Sequence, residues 1–134
     1  MVTLEVWYNQ RPDNDFSEGD PAILIHTPAE LDALITRMQQ DGEGKPVPPM
    51  AECSVSGDPM RGAFYLGVGQ DKGFLLFLAP EPAQTTGDTT LTGEVTYDYM
   101  AHPREIPASY EVPIEQVRLA ARAFLESEEL PLVR

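Results

Sequence analysis

Polar and apolar residues alternate in several short stretches of the chain, which is the pattern of β-strands that bury one face. The first stretch, Val2 to Tyr8, is rich in β-branched and aromatic residues and predicts the first strand. A segment of turn-forming residues, Asn9 to Pro21, is interpreted as a loop and precedes a short apolar strand, Ala22 to His26. Turn chemistry separates the further predicted strands, which are Ala51 to Ser56, Gly62 to Val68, Gly73 to Ala79 and Thr90 to Tyr99.

Other segments carry the spacing of amphipathic helices. At Thr27-Pro28-Ala29-Glu30, a threonine suited to capping precedes a proline at the first helical position and a glutamate that completes a capping box. Apolar residues then recur at helical spacing, which predicts a helix over roughly Pro28 to Gln40. A second helix is predicted with Pro113 near its first turn and should end before Leu130. Its apolar face consists of Ile114, Val117, Ala121, Phe124 and Leu125.

This order of elements, with strands before and after the first helix, predicts an α+β fold. We expect an antiparallel or mixed β-sheet with two helices packed on it, because the regular strand and helix alternation of a doubly wound fold is missing. A chain of 134 residues is long enough to bury one sizeable core, so residues 1–134 should form a single domain. The proline-rich stretch between Tyr99 and Pro113 is interpreted as a link.

The charge of the chain bears on its partners. Nine lysines and arginines stand against 22 aspartates and glutamates, giving a formal charge of −13. A negative field of that size repels phosphate backbones and disfavours direct binding to nucleic acid. The same field would accelerate encounter with a basic protein, because complementary potentials raise association rates. Solubility alone is the plainer explanation, and composition leaves both open.

Residues that often carry catalysis or bind metals are few and scattered. Neither His26 nor His102 has a partner at metal-ligand spacing. We expect His26 to be a partly buried packing or hydrogen-bonding residue, and His102 to lie in a polar loop. Cys53 lies in a predicted strand, where a buried thiol is inert. The carboxylates at positions 13, 15, 18 and 20 lack the glycine and terminal glutamate of a calcium loop. We therefore predict no catalytic residue, cofactor or metal ion.

The sequence also predicts where the protein acts. Cys53 is the single cysteine and cannot form an internal disulfide. The first residues lack the basic segment and long apolar run of a signal peptide. No apolar run approaches the roughly 18 residues that span a bilayer. We therefore predict a cytoplasmic protein without a membrane role.

One stretch combines aromatic and acidic side chains in the way that protein interfaces do. Glu94, Tyr97, Asp98 and Tyr99 lie together at the end of a predicted strand and are our candidate partner-binding residues. Tyrosine offers a large contact area at low entropic cost, and carboxylates suit lysine or arginine on a basic partner. Strand alternation leaves a second interpretation open, in which Tyr97 and Tyr99 face the core.

Four parts of the chain carry a family resemblance: the strand bearing Trp7, Thr27 to Leu34, Gly67 to Phe77, and Pro113 through Leu125 with Leu130-Pro131. In these parts the linear pattern resembles immunity-protein family one of the bacterial polymorphic toxin systems. At the end of the last helix the chain has Ser127-Glu128-Glu129, where members of that family tend to have a Gly-x-x-Pro turn and a closing tryptophan.

The resemblance implies a cytoplasmic antitoxin that binds a cognate toxin, often of the deaminase type, and blocks its active site or nucleic-acid groove. It implies no interface residue, because none of the shared segments is a binding motif. Two other functions stay open. The chain could be a small-molecule-binding domain or enzyme that uses His26 or a carboxylate pair as acid and base. It could also be an interaction module that pairs through an open sheet edge.

Overall fold

The computed structural model describes residues 1–8, 22–100 and 102–131. The predicted loop from Asn9 to Pro21, with its acidic residues at 13, 15, 18 and 20, lies outside the described residues. The strands are β1 (Leu4–Trp7), β2 (Ile23–Ile25), β3 (Pro49–Val55), β4 (Ala63–Val68), β5 (Lys72–Ala79), β6 (Ala83–Gln84), β7 (Glu94–Tyr99), β8 (His102–Pro107) and β9 (Val112–Pro113). The helices are α1 (Pro28–Gly42) and α2 (Ile114–Ser127), and one 3-10 turn spans Ala108–Tyr110.

The strands form a mixed, mostly antiparallel sheet. Its main path runs in the order β2-β1-β3-β4-β5-β6, with each neighbouring pair antiparallel. β7 joins parallel to the first residues of β3, through Pro49 and Met50, and β8 pairs with β7 as an antiparallel hairpin. The short β9 runs antiparallel to the start of β5. These elements confirm the predicted α+β class, with a mixed sheet and two helices.

Alternation along the strands gives the sheet two different faces. Cys53 of β3 is buried on one face, whereas its neighbour Glu52 is half-buried on the other. The face that carries Cys53, which we call the inner face, packs against both helices. Three aromatic rings meet in this core: Phe64 stacks on Phe77 with 4.5 Å between ring centroids, and Phe124 of α2 contacts both.

Helix α1 begins as the sequence predicts. Thr27 Oγ1 accepts a hydrogen bond from the Glu30 amide at 3.2 Å, and Glu30 Oε1 accepts one from the His26 amide at 2.8 Å. This reciprocal pair is the capping box, which satisfies amide groups that the helix itself leaves without partners. The helix continues to Gly42, slightly beyond the predicted Gln40. Its buried apolar residues are Leu31, Leu34, Ile35 and Met38.

Helix α2 also confirms its prediction. It follows Pro113 and ends at Ser127, where Glu128 adopts the left-handed conformation with a φ of 56°. Leu119 lies on its outward side and is 67% exposed. The residues that it buries in the core are Val117, Ala121, Phe124 and Leu125, and Ile114 is partly buried against them.

The prediction was wrong for the stretch between Tyr99 and Pro113, which was interpreted as a link. This stretch contains β8, which pairs with β7 over its whole length. In the described part of the chain, β8 pairs with β7 on one edge and with no strand on the other. Pro103 and Pro107 lack an amide hydrogen, and they fit in β8 because its unpaired edge forms no interstrand hydrogen bonds that they could interrupt. The prolines therefore mark an edge strand.

The hairpin of β7 and β8 covers part of the second face of the sheet, which we call the outer face. A smaller core cluster forms beneath it from Met50, Phe74, Tyr97 and Ile106. Phe74 and Tyr97 meet edge to face, with 4.9 Å between ring centroids and 78° between planes. Toward β1 the outer face is more open, and Trp7 is half-buried there.

Candidate functional site on the outer face of the sheet

The four residues of the predicted recognition surface lie on β7, which begins at Glu94 and not at the predicted Thr90. Alternation divides them between the two sides of the hairpin. Glu94 and Asp98 are exposed to solvent, whereas Tyr97 is buried and Tyr99 is half-buried toward the sheet. Partner binding by these residues stays a prediction, and the surface that they offer narrows to Glu94, Asp98 and Tyr99.

Tyr97 is held inside by packing and by a polar contact. Its ring lies against Phe74 and close to Gly67, where an added Cβ would stand only 2.8 Å from the tyrosine ring. Its hydroxyl donates to Glu111 Oε2 at 2.6 Å. Burial raises the pKa of this phenol far above its ordinary value, and the nearby carboxylate adds to the shift. Tyr97 therefore anchors the hairpin to the sheet.

A row of large side chains crosses the outer face beside the hairpin. Trp7 of β1 pairs in register with Glu52 of β3, and Glu52 pairs with Tyr65 of β4. Leu4 and Val6 are buried in β1, so Trp7 occupies the side of the strand that faces outward. Sequence reasoning assigned Trp7 to a strand and missed it as a site residue. The available signal was its place among the polar positions of an alternating strand.

Tyr99 and Arg104 of the hairpin lie over this row and contact it. The Tyr99 hydroxyl donates to Glu52 Oε2 at 3.0 Å, and its ring meets Tyr65 edge-on with 5.7 Å between centroids. The guanidinium carbon of Arg104 lies 4.7 Å from the Tyr99 ring centroid and 5.6 Å from that of Tyr65. Both distances fall in the range of cation–π contacts. We call Trp7, Glu52, Tyr65, Tyr99 and Arg104 the outer-face cluster.

The protonation of Tyr99 follows from these contacts. Burial raises its pKa to about 12, and the charge of Glu52 and the hydrogen bond to it add to the shift, while Arg104 opposes it. The phenol is therefore protonated at neutral pH and donates to the carboxylate. Its ring remains half-exposed and offers an apolar surface next to charged groups.

A depression of about 620 Å³ opens beside this cluster. Its lining includes Trp7 and Glu52 of the bulky row, and Pro59 of the turn after β3. The next row of the same two strands contributes Glu5 and Ser54, which pair in register. Because serine is small, this second row leaves space next to the tryptophan.

The residues with catalytic potential give a mixed outcome. Cys53 is buried as predicted, and burial raises the pKa of its thiol, which keeps the thiol protonated and unreactive. His26 was predicted to be a partly buried packing or hydrogen-bonding residue. It is exposed, and its Nδ1 lies 3.3 Å from Thr3 Oγ1, within hydrogen-bonding distance. His102 begins β8 and is exposed, so its predicted loop position was wrong. Over residues 1–8, 22–100 and 102–131, no group of three His, Cys, Asp or Glu side chains is placed to hold a metal ion.

Most arginines of the described residues form ion pairs away from the outer-face cluster. Several arginines form ion pairs with nearby carboxylates, namely Arg37, Arg61, Arg118 and Arg122. Arg118 also joins the two helices, since it donates to the Asp32 carbonyl at 3.1 Å and to Gln39 Oε1 at 3.0 Å. Arg104 contacts aromatic rings. The carboxylates of this region are Glu5 and Glu52 on the outer face, and Glu94, Asp98 and Glu105 on the opposite side of the hairpin. This region is therefore negative.

Comparison with protein families identifies the class of the molecule. The family model described as Immunity protein Imm1 matches residues 19–133, and the chain belongs to this family. Membership supports a role as an immunity protein and implies a toxin as its partner. The matched range begins after β1, so Glu5 and Trp7 precede it. No curated protein matched the chain. In the described ranges, no helix is long and apolar enough to cross a membrane.

Proposed function

We propose that this protein is a cytoplasmic antitoxin that binds and inhibits a cognate, nucleic-acid-directed toxin of the deaminase type. The observation that carries the proposal is the match to the Imm1 immunity family over residues 19–133. We assign toxin binding to the outer-face cluster and the exposed side of the hairpin, because tryptophan, tyrosine and arginine are the residue types that dominate binding energy at protein interfaces. Inhibition by binding needs no bond-making chemistry, and we infer that the chain is not an enzyme.

The distribution of charge supports a basic partner. Glu94, Asp98 and Glu105 are exposed on the same side of the hairpin, since Glu105 pairs with Thr96 in register. A toxin that acts on nucleic acid needs positive groups that bind phosphates. Carboxylates that face those groups would accelerate association and occupy the path of the phosphate backbone. The toxin would then be inhibited by occlusion of its active site or nucleic-acid groove.

Toxin neutralisation in bacteria tests this proposal. The toxin domain encoded by the neighbouring reading frame is produced with and without this chain, and growth and complex formation are measured. We expect the chain to restore growth and to form a stoichiometric complex with the toxin domain. Full toxicity in the presence of folded antitoxin, with no complex formed, would overturn the proposal.

Charge reversal on the hairpin tests the assigned surface. Glu94→Lys combined with Asp98→Lys should weaken toxin binding by about tenfold or more, because like charges would then face a basic partner. Glu43→Lys combined with Glu81→Lys is the matched control, since both residues are exposed and lie outside the hairpin. Equal affinities of the two variants would reject the hairpin as a contact. Tyr97 is left unchanged because its side chain is buried.

The volume of the depression favours a second candidate function, a small-molecule-binding domain or an enzyme. About 620 Å³ lies within the range of small-ligand sites, and Glu5 and Glu52 are carboxylates in its lining. Turnover of a substrate by the purified chain, abolished by Glu5→Gln or Glu52→Gln, would establish this function in place of the antitoxin role.

A further inference from the structure

We propose that the depression beside Trp7 receives the guanidinium group of one arginine side chain of the bound toxin. The inference rests on the proposed function and states the chemistry that the partner presents at this point of the interface. The supporting observations are an aromatic side chain, two carboxylates and a volume of about 620 Å³ in one place.

Trp7 supplies a surface for stacking. It is half-buried, lines the depression and belongs to the outward side of β1. Indole is the strongest of the aromatic rings in cation–π contacts, and the planar guanidinium stacks on it in a way that an ammonium group does not. The chain makes such contacts itself, since the Arg104 guanidinium carbon lies 4.7 Å from the Tyr99 ring centroid and that of Arg37 lies 5.6 Å from the Tyr8 ring centroid.

Glu5 and Glu52 supply the negative charge. Glu5 lies opposite Ser54 and Glu52 lies opposite Trp7, so the two glutamates are diagonal neighbours on paired strands. Diagonal neighbours on one face of an antiparallel pair lie within reach of one long side chain. A guanidinium group that stacks on Trp7 would therefore have two carboxylates in the lining of the same depression.

The existing contacts of these carboxylates are with hydroxyl groups. Glu5 Oε1 accepts from Ser56 Oγ at 3.1 Å, and Glu52 Oε2 accepts from the Tyr99 hydroxyl at 3.0 Å. Neither glutamate takes part in the ion pairs formed among the described residues. A neutral or acidic partner that covered them would desolvate two charges without compensation, which is strongly unfavourable. A guanidinium group compensates this negative charge and offers several hydrogen-bond donors to the carboxylates.

The fluorescence of Trp7 and a matched pair of variants test the inference. Trp7 is the single tryptophan of the chain, so its emission reports directly on the depression. The purified chain is titrated with a tryptophan-free variant of the toxin domain from the neighbouring reading frame. We expect the emission of Trp7 to change on binding. Glu5→Gln with Glu52→Gln should raise the Kd by about tenfold or more, because a desolvated charge pair is lost. Glutamine still accepts the two hydroxyl hydrogen bonds.

The control is Glu43→Gln with Glu81→Gln, which changes the net charge equally at exposed positions. Its Kd should stay within about twofold of the native value, since exposed charges contribute little. Thermal unfolding of both variants is compared with that of the native chain. A double-mutant cycle then identifies the toxin arginine, whose replacement by glutamine should have little effect once Glu5 and Glu52 are glutamines.

Several outcomes overturn the inference. The depression is rejected as a contact if the Kd of Glu5→Gln with Glu52→Gln is unchanged and Trp7 emission does not change in the complex. If this double variant still neutralises the toxin, the proposed function itself stands. A concentration-dependent change of Trp7 emission without toxin assigns the depression to a second copy of the chain. A toxin domain that does not bind the native chain removes the proposed function itself.

Discussion

The inner and outer faces of the sheet bury aromatic rings in different ways. The inner face, under two helices, packs phenylalanines of β4, β5 and α2 against one another. Under the hairpin, Tyr97 and Tyr99 bury ring surface while their hydroxyls donate to Glu111 and Glu52. Tyrosine suits the region under the hairpin because its ring packs against the sheet while its hydroxyl forms a hydrogen bond at the partly exposed edge. The inner face therefore buries its rings completely, whereas the outer face leaves part of its aromatic surface and its charged groups exposed to solvent.

Removal of a ring from the inner face should have the largest effect. Phe124→Ala deletes a fully buried side chain that contacts Phe64 and Phe77. We expect the free energy of unfolding to fall by about 3–5 kcal/mol, measured by chemical denaturation. Leu119→Ala on the same helix is the control, because Leu119 is 67% exposed and should change stability by less than about 0.5 kcal/mol. Similar losses for both would contradict the importance of the inner core.

Overpacking of the outer face should have the next largest effect. A Cβ at Gly67 would lie 2.1 Å from Phe74 Cε1 and 2.8 Å from Tyr97 Cε2, so Gly67→Ala forces the two rings to move. We expect a loss of about 1–3 kcal/mol in the free energy of unfolding. The penalty should shrink in a Phe74→Leu background, where the clashing ring is absent. A penalty of the same size in both backgrounds would show that the rings are not its cause.

The tyrosine hydroxyl beneath the hairpin should contribute less. Tyr97→Phe keeps the ring but removes the donor to Glu111 Oε2, leaving a half-buried carboxylate without that bond. A loss of about 1–2 kcal/mol is expected from denaturant unfolding. In a Glu111→Ala background, where no acceptor remains, the same change should cost little. Full additivity of the two substitutions would refute a role for this hydrogen bond in stability.

Alkaline pH should reveal the smallest of these effects. Tyr99 has a pKa of about 12 in the fold against an ordinary value of 10.0, so the folded state holds its proton more tightly than the unfolded state. The stability that it contributes is complete below pH 10 and is lost as pH rises from 10 through about 12. Tyr99→Phe should therefore reduce the decline in the free energy of unfolding above pH 10, without abolishing it, because Tyr97 also has a raised pKa. Parallel declines in both proteins would argue against this coupling.

The elements that were predicted correctly carry local signals. The capping box of α1 involves residues within one turn, Thr27 and Glu30, and its bonds form as expected. The apolar stripe of α2 likewise depends on helical spacing alone. In contrast, β8 was missed because its prolines indicate a link when taken locally. Its strand character comes from pairing with β7, which local propensity does not encode.

The candidate site was only partly predictable for a related reason. Alternation left open an orientation in which Tyr97 and Tyr99 face the core, and both rings do lie on the sheet side of β7, opposite to Glu94 and Asp98. It gave no indication that Tyr97 would be fully buried and Tyr99 only half-buried. That difference depends on what lies beneath each ring, and the two rings cover different parts of the sheet, at Phe74 and at Tyr65.

Composition and neighbours along the chain were enough to predict the negative charge, the helix boundaries to within a few residues, and which side chains of a strand point the same way. The side of each strand that faces the helices became known from the packing of the whole fold. The tertiary structure also brought together Trp7, Glu52, Tyr65, Tyr99 and Arg104, each from a different strand. Contacts between residues so distant along the chain arise from strand order and register, and no local pattern specifies them.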